Sequence, residues 1–378
     1  MQIAILVLEN KCKGGVNTRS SALARHLNLR YNIKILSLNV QKSLRPRKLF
    51  SAINSIRNLV YDLRSADLVI SFSSIPNLLN SIISKKSIVS LSGSTFFRRD
   101  TPLLSRLYWT FVLEPLSVLL SDAAVPASPA VLKPFLSRVS LLRRRVDEIY
   151  GFLDCGHIDH CVSSNSTHHS WIGEGYFLFI GELIEQKGIL ELIDIYGSLP
   201  RDISAVQVPL VICGRGRLWP QIAKKCEHFS LKLVTSKSEL QMIKEKRCII
   251  WLGLVSEPYS IIQKSAVVLS PFYWEGLSNV ILESLYLNVP VIASLNPSSV
   301  FIRQTLQVTE VEASNDCSML HLVDHPLSDS QKEIWRDRII SVMTSPIKDR
   351  ASRKLIYENF SAEINAHKWY ALIESCID

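Results

Sequence analysis

The sequence has no D-x-D pair, no complete G-x-G-x-x-G, no paired C-x2-C arms and no long uninterrupted apolar run. Each absence removes a class of protein. Neither KGGVNTRS nor CGRGRL completes the dinucleotide fingerprint, which disfavours a nicotinamide dehydrogenase. LYWTFVLEPLSVLL carries Glu114 and Pro115, so no membrane-spanning helix is expected. The opening QIAILVLEN lacks the basic start and small-residue cleavage site of a signal peptide and reads as a first strand. Acidic residues are scarce in the first 150 positions, and no histidine occurs between His26 and His157.

With 378 residues the chain is long enough for about two domains, each with its own core. The eight cysteines are scattered, mostly within apolar runs where a free thiol acts as a small hydrophobe, and this favours a reducing cytoplasmic setting. The formal net charge of +9 conceals an asymmetry. Residues 1–150 carry 22 Lys and Arg against 8 Asp and Glu, a net of +14, while the remainder carries 21 against 26, a net of −5. A basic half beside a mildly acidic half points to an anionic partner for the first half; nucleic acid and an anionic membrane surface both suit it by charge.

Short apolar runs alternate with helical-period segments. IAILVLE, the turn KGGVNT, RSSALARHLNLR and NIKILSL make one βαβ unit, followed by the strand candidates ADLVISFS, SIVSLSG and DAAVPAS. The stretch 154–175 is polar and without period and reads as a linker. It clusters Cys155, His157, His160 and Cys161, but their spacing matches no zinc pattern with paired arms, so no metal is expected there. The alternation restarts with YFLFIGEL, PLVICGRG, CIIWLGLV, AVVLSPF and VPVIAS, and the chain ends in helices, the last read over LIYENFSAEINAHKWYALIESC. Strands alternating with helices predict an α/β protein with two doubly wound parallel sheets.

The most informative stretch is PFYWEGLSNVILESLYLNVPVIAS, from Pro271 to Ser294. Its two apolar runs bracket a crossover helix whose N-terminus lies at the carboxyl edge of the sheet, where unpaired N–H groups favour an anion. Ser278 is placed to cap that helix, and Leu277, Ile281 and Leu285 to form its buried stripe. Glu283 follows Asn279 by one helical turn, and helical side chains lean toward the N-terminus, so its carboxylate is aimed back toward the anion site. Burying an unpartnered polar group costs about 2 kcal/mol or more. A carboxylate here therefore points to neutral hydroxyls, such as a ribose diol, beside phosphates, with Glu275 on their far side. The alternative is that Glu275 only complements the helix dipole and Glu283 is exposed.

SPFYWEGLSNVILESLYLNVPVIAS closely resembles the E-x7-E signature of the retaining GT-B glycosyltransferases of family 4 type, the glycosyl transferases group 1. The resemblance runs nearly end to end. KGGVNTRSSALARHL resembles the family's glycine loop, with Gly14 and Gly15 approaching the donor diphosphate; LFIGELIEQKGILELI resembles its phosphate-contacting segment, with Lys187 as the matching cation; LVICGRGRL and YENFSAEINAHKWYALIESC resemble its G-x-G loop and terminal segment. The resemblance implies GT-B architecture: two facing Rossmann-like domains, at 1–153 on the acceptor side and 176–348 on the nucleotide-sugar side, with 349–378 as a C-terminal helix crossing back to the first. It also implies Glu275 as the catalytic residue orienting the sugar, and Gly276, Leu277, Ser278, Asn279 and Glu283 as donor-binding. Three departures stand out: Glu182 occupies the usual place of a phosphate arginine, with Arg215 and Arg217 as candidate replacements; SLSGSTFFRRD offers Ser92, Ser94, Thr95 or Arg98 in place of a first-domain histidine; and LNPSSVF lacks the usual paired glycines.

The resulting expectation is a cytoplasmic, retaining, hexosyltransferase-like glycosyltransferase. It would move a sugar from a nucleoside diphosphate sugar to a hydroxyl of a glycan or lipid-linked acceptor, as in polysaccharide or glycolipid assembly, with no metal or other cofactor and no nucleic acid partner. A non-catalytic GT-B protein binding a nucleotide sugar or a protein partner is the alternative. QKSLRPRKLFSAINSIRNLVYDLR sets Arg45, Arg47, Lys48, Arg57 and Arg64 among apolar residues at helical spacing. It reads either as an ordinary packed surface helix or as a peripheral contact with the anionic inner face of a membrane.

Overall fold

A computed structural model describes residues 1–8, 15–38, 46–93, 102–164, 170–242, 247–307, 319–345 and 351–378. The chain divides into two compact units, one formed by Met1–Leu153 with Phe360–Asp378 and the other by Asp154–Asn359.

The first unit holds a five-stranded sheet of β1 (Gln2–Leu8), β2 (Asn32–Leu38), β3 (Leu68–Phe72), β4 (Ser87–Leu91) and β5 (Ala123–Pro126), ordered β2-β1-β3-β4-β5. All its pairings are parallel, and β1 runs in register with β2 from Gln2 opposite Asn32 to Leu8 opposite Leu38. β3, β4 and β5 are buried throughout, which is why they read as continuous apolar runs. The chain end completes this core. Trp369, Leu372, Ile373 and Cys376 of the helix Ala362–Ile377 join the cluster of Ile3, Ile5, Leu23 and Leu27, and Tyr370 Oη donates to the carbonyl of His26 at 2.9 Å.

The second unit holds seven parallel strands: β6 (Tyr176–Ile180), β7 (Leu210–Cys213), β8 (Lys232–Val234), β9 (Cys248–Gly253), β10 (Ser265–Ser270), β11 (Val291–Ser294) and β12 (Leu320–Val323), ordered β12-β11-β10-β6-β7-β9-β8. The two edge strands β8 and β12 were not anticipated from the sequence; at three and four residues they are too short to show a period.

Several local expectations change. Residues 154–175 begin with a helix, Cys155–Ser163, and not with an open connector: the Asp154 side chain accepts from His157 N to cap it, and Cys155, Ile158 and Cys161 are buried. The terminal segment is two helices, Ala351–Phe360 and Ala362–Ile377, because Ser361 is extended (φ −67°, ψ 149°) and caps the second through Ile364 N; the first unit takes over at Phe360, not at residue 349. Leu103–Leu120 is one continuous helical run of 18 residues, long and apolar enough by length and composition to cross a membrane, with mean hydropathy 1.3 and 22% burial. Pro115 does not break it, since a π-helical turn at Trp109–Leu113 precedes Pro115 and leaves it in the first turn of the next segment, where its missing N–H is not needed. The six described cysteines, among them Cys213, Cys226 and Cys248, are buried thiols that form no disulfide among the described residues, as small hydrophobes should be.

Candidate functional site

β6 and β10 are adjacent strands at which the second sheet changes its direction of growth, since β7, β9 and β8 extend it on one side and β11 and β12 on the other. Loops leaving the carboxyl ends of two such strands part from one another, and the crevice between them is where open α/β sheets bind ligands. Here those loops are 181–188 after β6 and 271–278 after β10, the two segments singled out in the sequence.

Close backbone packing fixes both loops. Gly214 has φ +154°, and a Cβ there would lie 1.8 Å from the carbonyl oxygen of Gly181, so only glycine lets the G-x-G loop close on the loop after β6. Leu183 N then donates to the carbonyl of Arg215 at 3.0 Å. The short turn Glu185–Lys187 ends at Gly188, φ +61°, where a Cβ would fall 2.3 Å from the carbonyl oxygen of Pro271. Tyr273 N donates to the Gln186 carbonyl at 3.0 Å, and Gln186 Nε2 donates to the Trp274 carbonyl at 2.7 Å, lacing one loop to the other.

This lacing brings Lys187 to Glu275. Its ammonium forms an ion pair with the Glu275 carboxylate and stands 4.1 Å from the centre of the Phe272 ring. The two side chains are only 15% and 16% exposed, so the pair is weakly screened. The helix Asn279–Tyr286 starts just beyond. Gly276 is buried, Leu277 and Asn279 are half-buried, and residues 281–287 are buried on every side, so the expected stripe is part of a helix enclosed all round.

Ser278 holds the N-cap position but does not cap with its side chain, contrary to expectation. Its own N–H donates to Ser298 Oγ at 3.1 Å, and its hydroxyl is buried with no hydrogen-bond partner among the described residues. Asn296 fixes the LNPSSVF segment that supplies Ser298: its Nδ2 donates to the Phe272 carbonyl at 3.0 Å, and its Oδ1 accepts from the backbone N–H groups of Ser298 and Ser299 at 3.0 and 3.1 Å. Where paired glycines were expected, an asparagine side chain ties this loop to the site.

Glu283 is 6% exposed, which excludes the reading of it as a surface residue. Burial pushes its carboxyl up to about 8, with no cationic or hydrogen-bonding group among the described residues offsetting the shift. The structure thus gathers Lys187, Glu275, Gly276, Leu277, Ser278, Asn279 and Glu283 around one switch point. Gly15 begins the helix Gly15–Leu27 of the first unit, and Gly14 lies outside the described residues, as do Ser94, Thr95 and Arg98. Glu182 is exposed, and Arg217, offered as a replacement cation, is instead bonded to Glu185.

Sequence reasoning missed three contributors to this site, Asn296, Ser298 and Phe272. Asn296 and Ser298 carry no local signal, because their partners lie on other loops. Phe272 is visible only as one more aromatic in PFYW. Apart from this site, Arg19 of the first unit is buried in the helix after β1, and burial lowers its guanidinium to about 10.

Residues 174–313, which contain this entire constellation, match the family described as Glycosyl transferases group 1. No curated protein sequence matches the chain. Among solved structures, Alr3699/HepE of Anabaena in complex with UDP is similar with a TM-score of 0.69 at 14% identity, covering 99% of this chain and 100% of that one. Sucrose-phosphate synthase of Thermosynechococcus elongatus is similar with a TM-score of 0.66 at 14% identity, 98% of each chain being covered. A glycosyltransferase from Rickettsia africae gives a TM-score of 0.61 at 15% identity over 100% of this chain and 99% of that one. The chain has the GT-B fold, two Rossmann-like parallel-sheet units, and the match to the glycosyl transferases group 1 model lies within its second unit.

Proposed function

We propose that this protein is a retaining glycosyltransferase that moves a sugar from a nucleoside diphosphate sugar to a hydroxyl of a glycan or lipid-linked acceptor. The observation that carries the reading is the pairing, at one helix of the switch point, of a buried N-cap Ser278 hydroxyl without a hydrogen-bond partner among the described residues and a buried Glu283 carboxyl that no described group offsets. Buried polar groups are ordinarily satisfied, and a ligand offering phosphate oxygens at the helix N-terminus and hydroxyls a turn further on would satisfy both. The Anabaena neighbour binds UDP and, in another structure, UDP-glucose. In the reaction, the bond from the sugar to the diphosphate breaks as a new bond forms to the acceptor oxygen on the same face, and the departing diphosphate oxygen takes the acceptor proton. The helix N-terminus and Lys187 would stabilise charge developing on that diphosphate, Glu275 would hold sugar hydroxyls and Glu283 the ribose.

The test is a panel of nucleoside diphosphates and their sugars screened for thermal stabilisation, followed by donor hydrolysis without acceptor. Stabilisation by one nucleoside diphosphate together with slow release of its sugar is expected. Stabilisation without release would favour the non-catalytic alternative, and stabilisation by none would remove the donor assignment.

The proposed place of action is the inner face of a membrane, held peripherally through the basic first unit. Ile56 and Tyr61 are exposed beside Arg57 and Arg64 on the helix Pro46–Ser65, while Leu59 and Leu63 pack it on the core. Leu103, Leu104, Tyr108, Phe111, Leu119 and Leu120 are also exposed on the run Leu103–Leu120. The buried face of that run carries Glu114, bonded to Arg138 at 3.0 Å, which suits a helix packed on its own unit and facing a lipid surface better than one crossing it. Pelleting with anionic vesicles is expected to fall as salt rises, and to weaken in Leu104→Glu without loss of thermal stability. Equal pelleting with anionic and neutral vesicles, or none with either, would overturn the membrane reading.

A further inference from the structure

The first sheet has a switch point of its own. In the order β2-β1-β3-β4-β5 the chain leaves β1 toward β2 on one side and β3 toward β4 on the other, so the loops after β1 and β3 part at the carboxyl edge. Two anomalies flank that crevice. The first is Arg19, on the helix Gly15–Leu27 that runs back from the edge after β1. Leu23 and Leu27 of this helix share a cluster with Ile5, Val7 and Phe72, so Arg19, four residues before Leu23, continues the sheet-facing stripe one turn nearer the edge. Helical side chains lean toward the N-terminus, which aims its guanidinium at the crevice. Arg19 is only 6% exposed, its Nε is buried without a hydrogen-bond partner, and no described residue bonds to or pairs with its guanidinium. Burial lowers it no further than about 10, so at neutral pH a buried cation stands there with no counter-charge among the described residues.

The second anomaly is Ser73, between β3 and the helix Ser74–Ile83. Its backbone, at φ +80° and ψ 158°, lies in a region that only glycine adopts without strain. A serine there accepts strain for the sake of a hydroxyl, and that hydroxyl does not cap the helix it precedes. The N-terminus of this ten-residue helix opens onto the same edge. Ser92, just past β4, also keeps a buried hydroxyl with no partner among the described residues.

We propose that the first unit binds a phosphate group of the acceptor at this edge, its oxygens held by the Arg19 guanidinium, the Ser73 hydroxyl and the N-terminus of the helix Ser74–Ile83. Donors converging from separate elements, one of them a planar fork, suit an anion with several oxygens. The net +14 of residues 1–150 favours a multiply charged one. That the phosphate is the acceptor's rests on the transferase reading, in which the donor phosphates go to the switch point of the second unit; that the first unit holds it does not.

The test takes the full chain carrying Lys187→Ala, which weakens the donor site, and titrates it with inorganic pyrophosphate. One equivalent is expected to bind and to raise the melting temperature. Adding Arg19→Gln should weaken binding at least tenfold, and Arg19→Lys, which keeps the charge without the fork, by less. Ser73→Gly, which frees the backbone, should melt no lower than its parent and bind pyrophosphate severalfold more weakly. In the otherwise wild-type chain, Arg19→Gln should melt at or above the wild type without anion, because a buried unpaired charge is gone, and should bind nucleoside diphosphate as the wild type does. Vesicles of phosphatidic acid separate two sources of the phosphate: Arg19→Gln pellets less than the wild type if a lipid carries it and equally if a soluble glycan does. Pyrophosphate binding is read without donor or turnover, so its failure leaves the donor assignment standing, and failure of the donor assignment leaves this site standing. Absence of binding in the Lys187→Ala background, or unchanged affinity on adding Arg19→Gln, would overturn the site. A matching loss of nucleoside diphosphate in Arg19→Gln would give the anion to the donor and overturn its assignment to the acceptor.

Discussion

Glu275→Gln is expected to lower sugar transfer by roughly a hundred- to a thousandfold, the loss typical of removing one positioned transition-state contact, while nucleoside diphosphate binds at least as tightly as to the wild type. The second half of this expectation comes from the ion pair. Lys187 is engaged by Glu275 across 88 residues of sequence, with both side chains largely shielded from water. An incoming diphosphate must draw the ammonium away from this carboxylate or share it. The glutamine keeps the size of the side chain but leaves the ammonium without its counter-charge, which an anion can then supply. Its effect on the sugar is opposite, because an amide cannot replace the charge of a carboxylate holding sugar hydroxyls.

Lys187→Ala is the matching control. It should weaken the nucleoside diphosphate far more than the bare nucleoside and leave Glu275 as an unpaired acid near the phosphates. In the double variant the two losses should not add, since each single change disturbs the same pair. Titration calorimetry and initial rates measured on the same preparations decide the matter. Near wild-type turnover in Glu275→Gln would remove Glu275 from the sugar, and a fall in diphosphate affinity in that variant would show that the pair does not compete with the donor.

How much of this was legible depends on the range over which each feature is encoded. β3, β7 and β10 announce themselves because parallel strands buried on both faces must be apolar throughout, and the turn after β6 is marked by Gly188, whose left-handed backbone meets Pro271. The pair Glu275 and Glu283 was legible as a local pattern, one just ahead of the crossover helix and one within it. Partners were not. The contact of Lys187 with Glu275, of Asn296 with Phe272 and of His157 with Glu257 each join separate elements, and periodicity reports only one element at a time. Continuity of Leu103–Leu120 was hidden for another reason: a π-helical turn accommodates what Pro115 signals as a break.

Donor binding is expected to expel a proton from Glu283, so nucleotide affinity should rise with pH up to about 8. Burial raises this carboxyl from its ordinary 4.5 to about 8, and at neutral pH the donor-free site therefore holds it protonated. Ribose hydroxyls donating to it favour the ionised form and lower that value in the complex. Each pH unit below the donor-free value should then weaken binding by up to about tenfold, until the value in the complex is reached. The sign for stability is the reverse. Between 4.5 and about 8 the folded state retains a proton that the unfolded chain has lost, so this group makes the donor-free protein less stable as pH rises through that window. Glu283→Gln, neutral at every pH, should remove both dependences: it should melt above the wild type near pH 8 and bind nucleotide more weakly with no proton released. Calorimetry in two buffers of different ionisation enthalpy measures the proton directly. No proton release in the wild type, or the same release in Glu283→Gln, would place the ribose elsewhere.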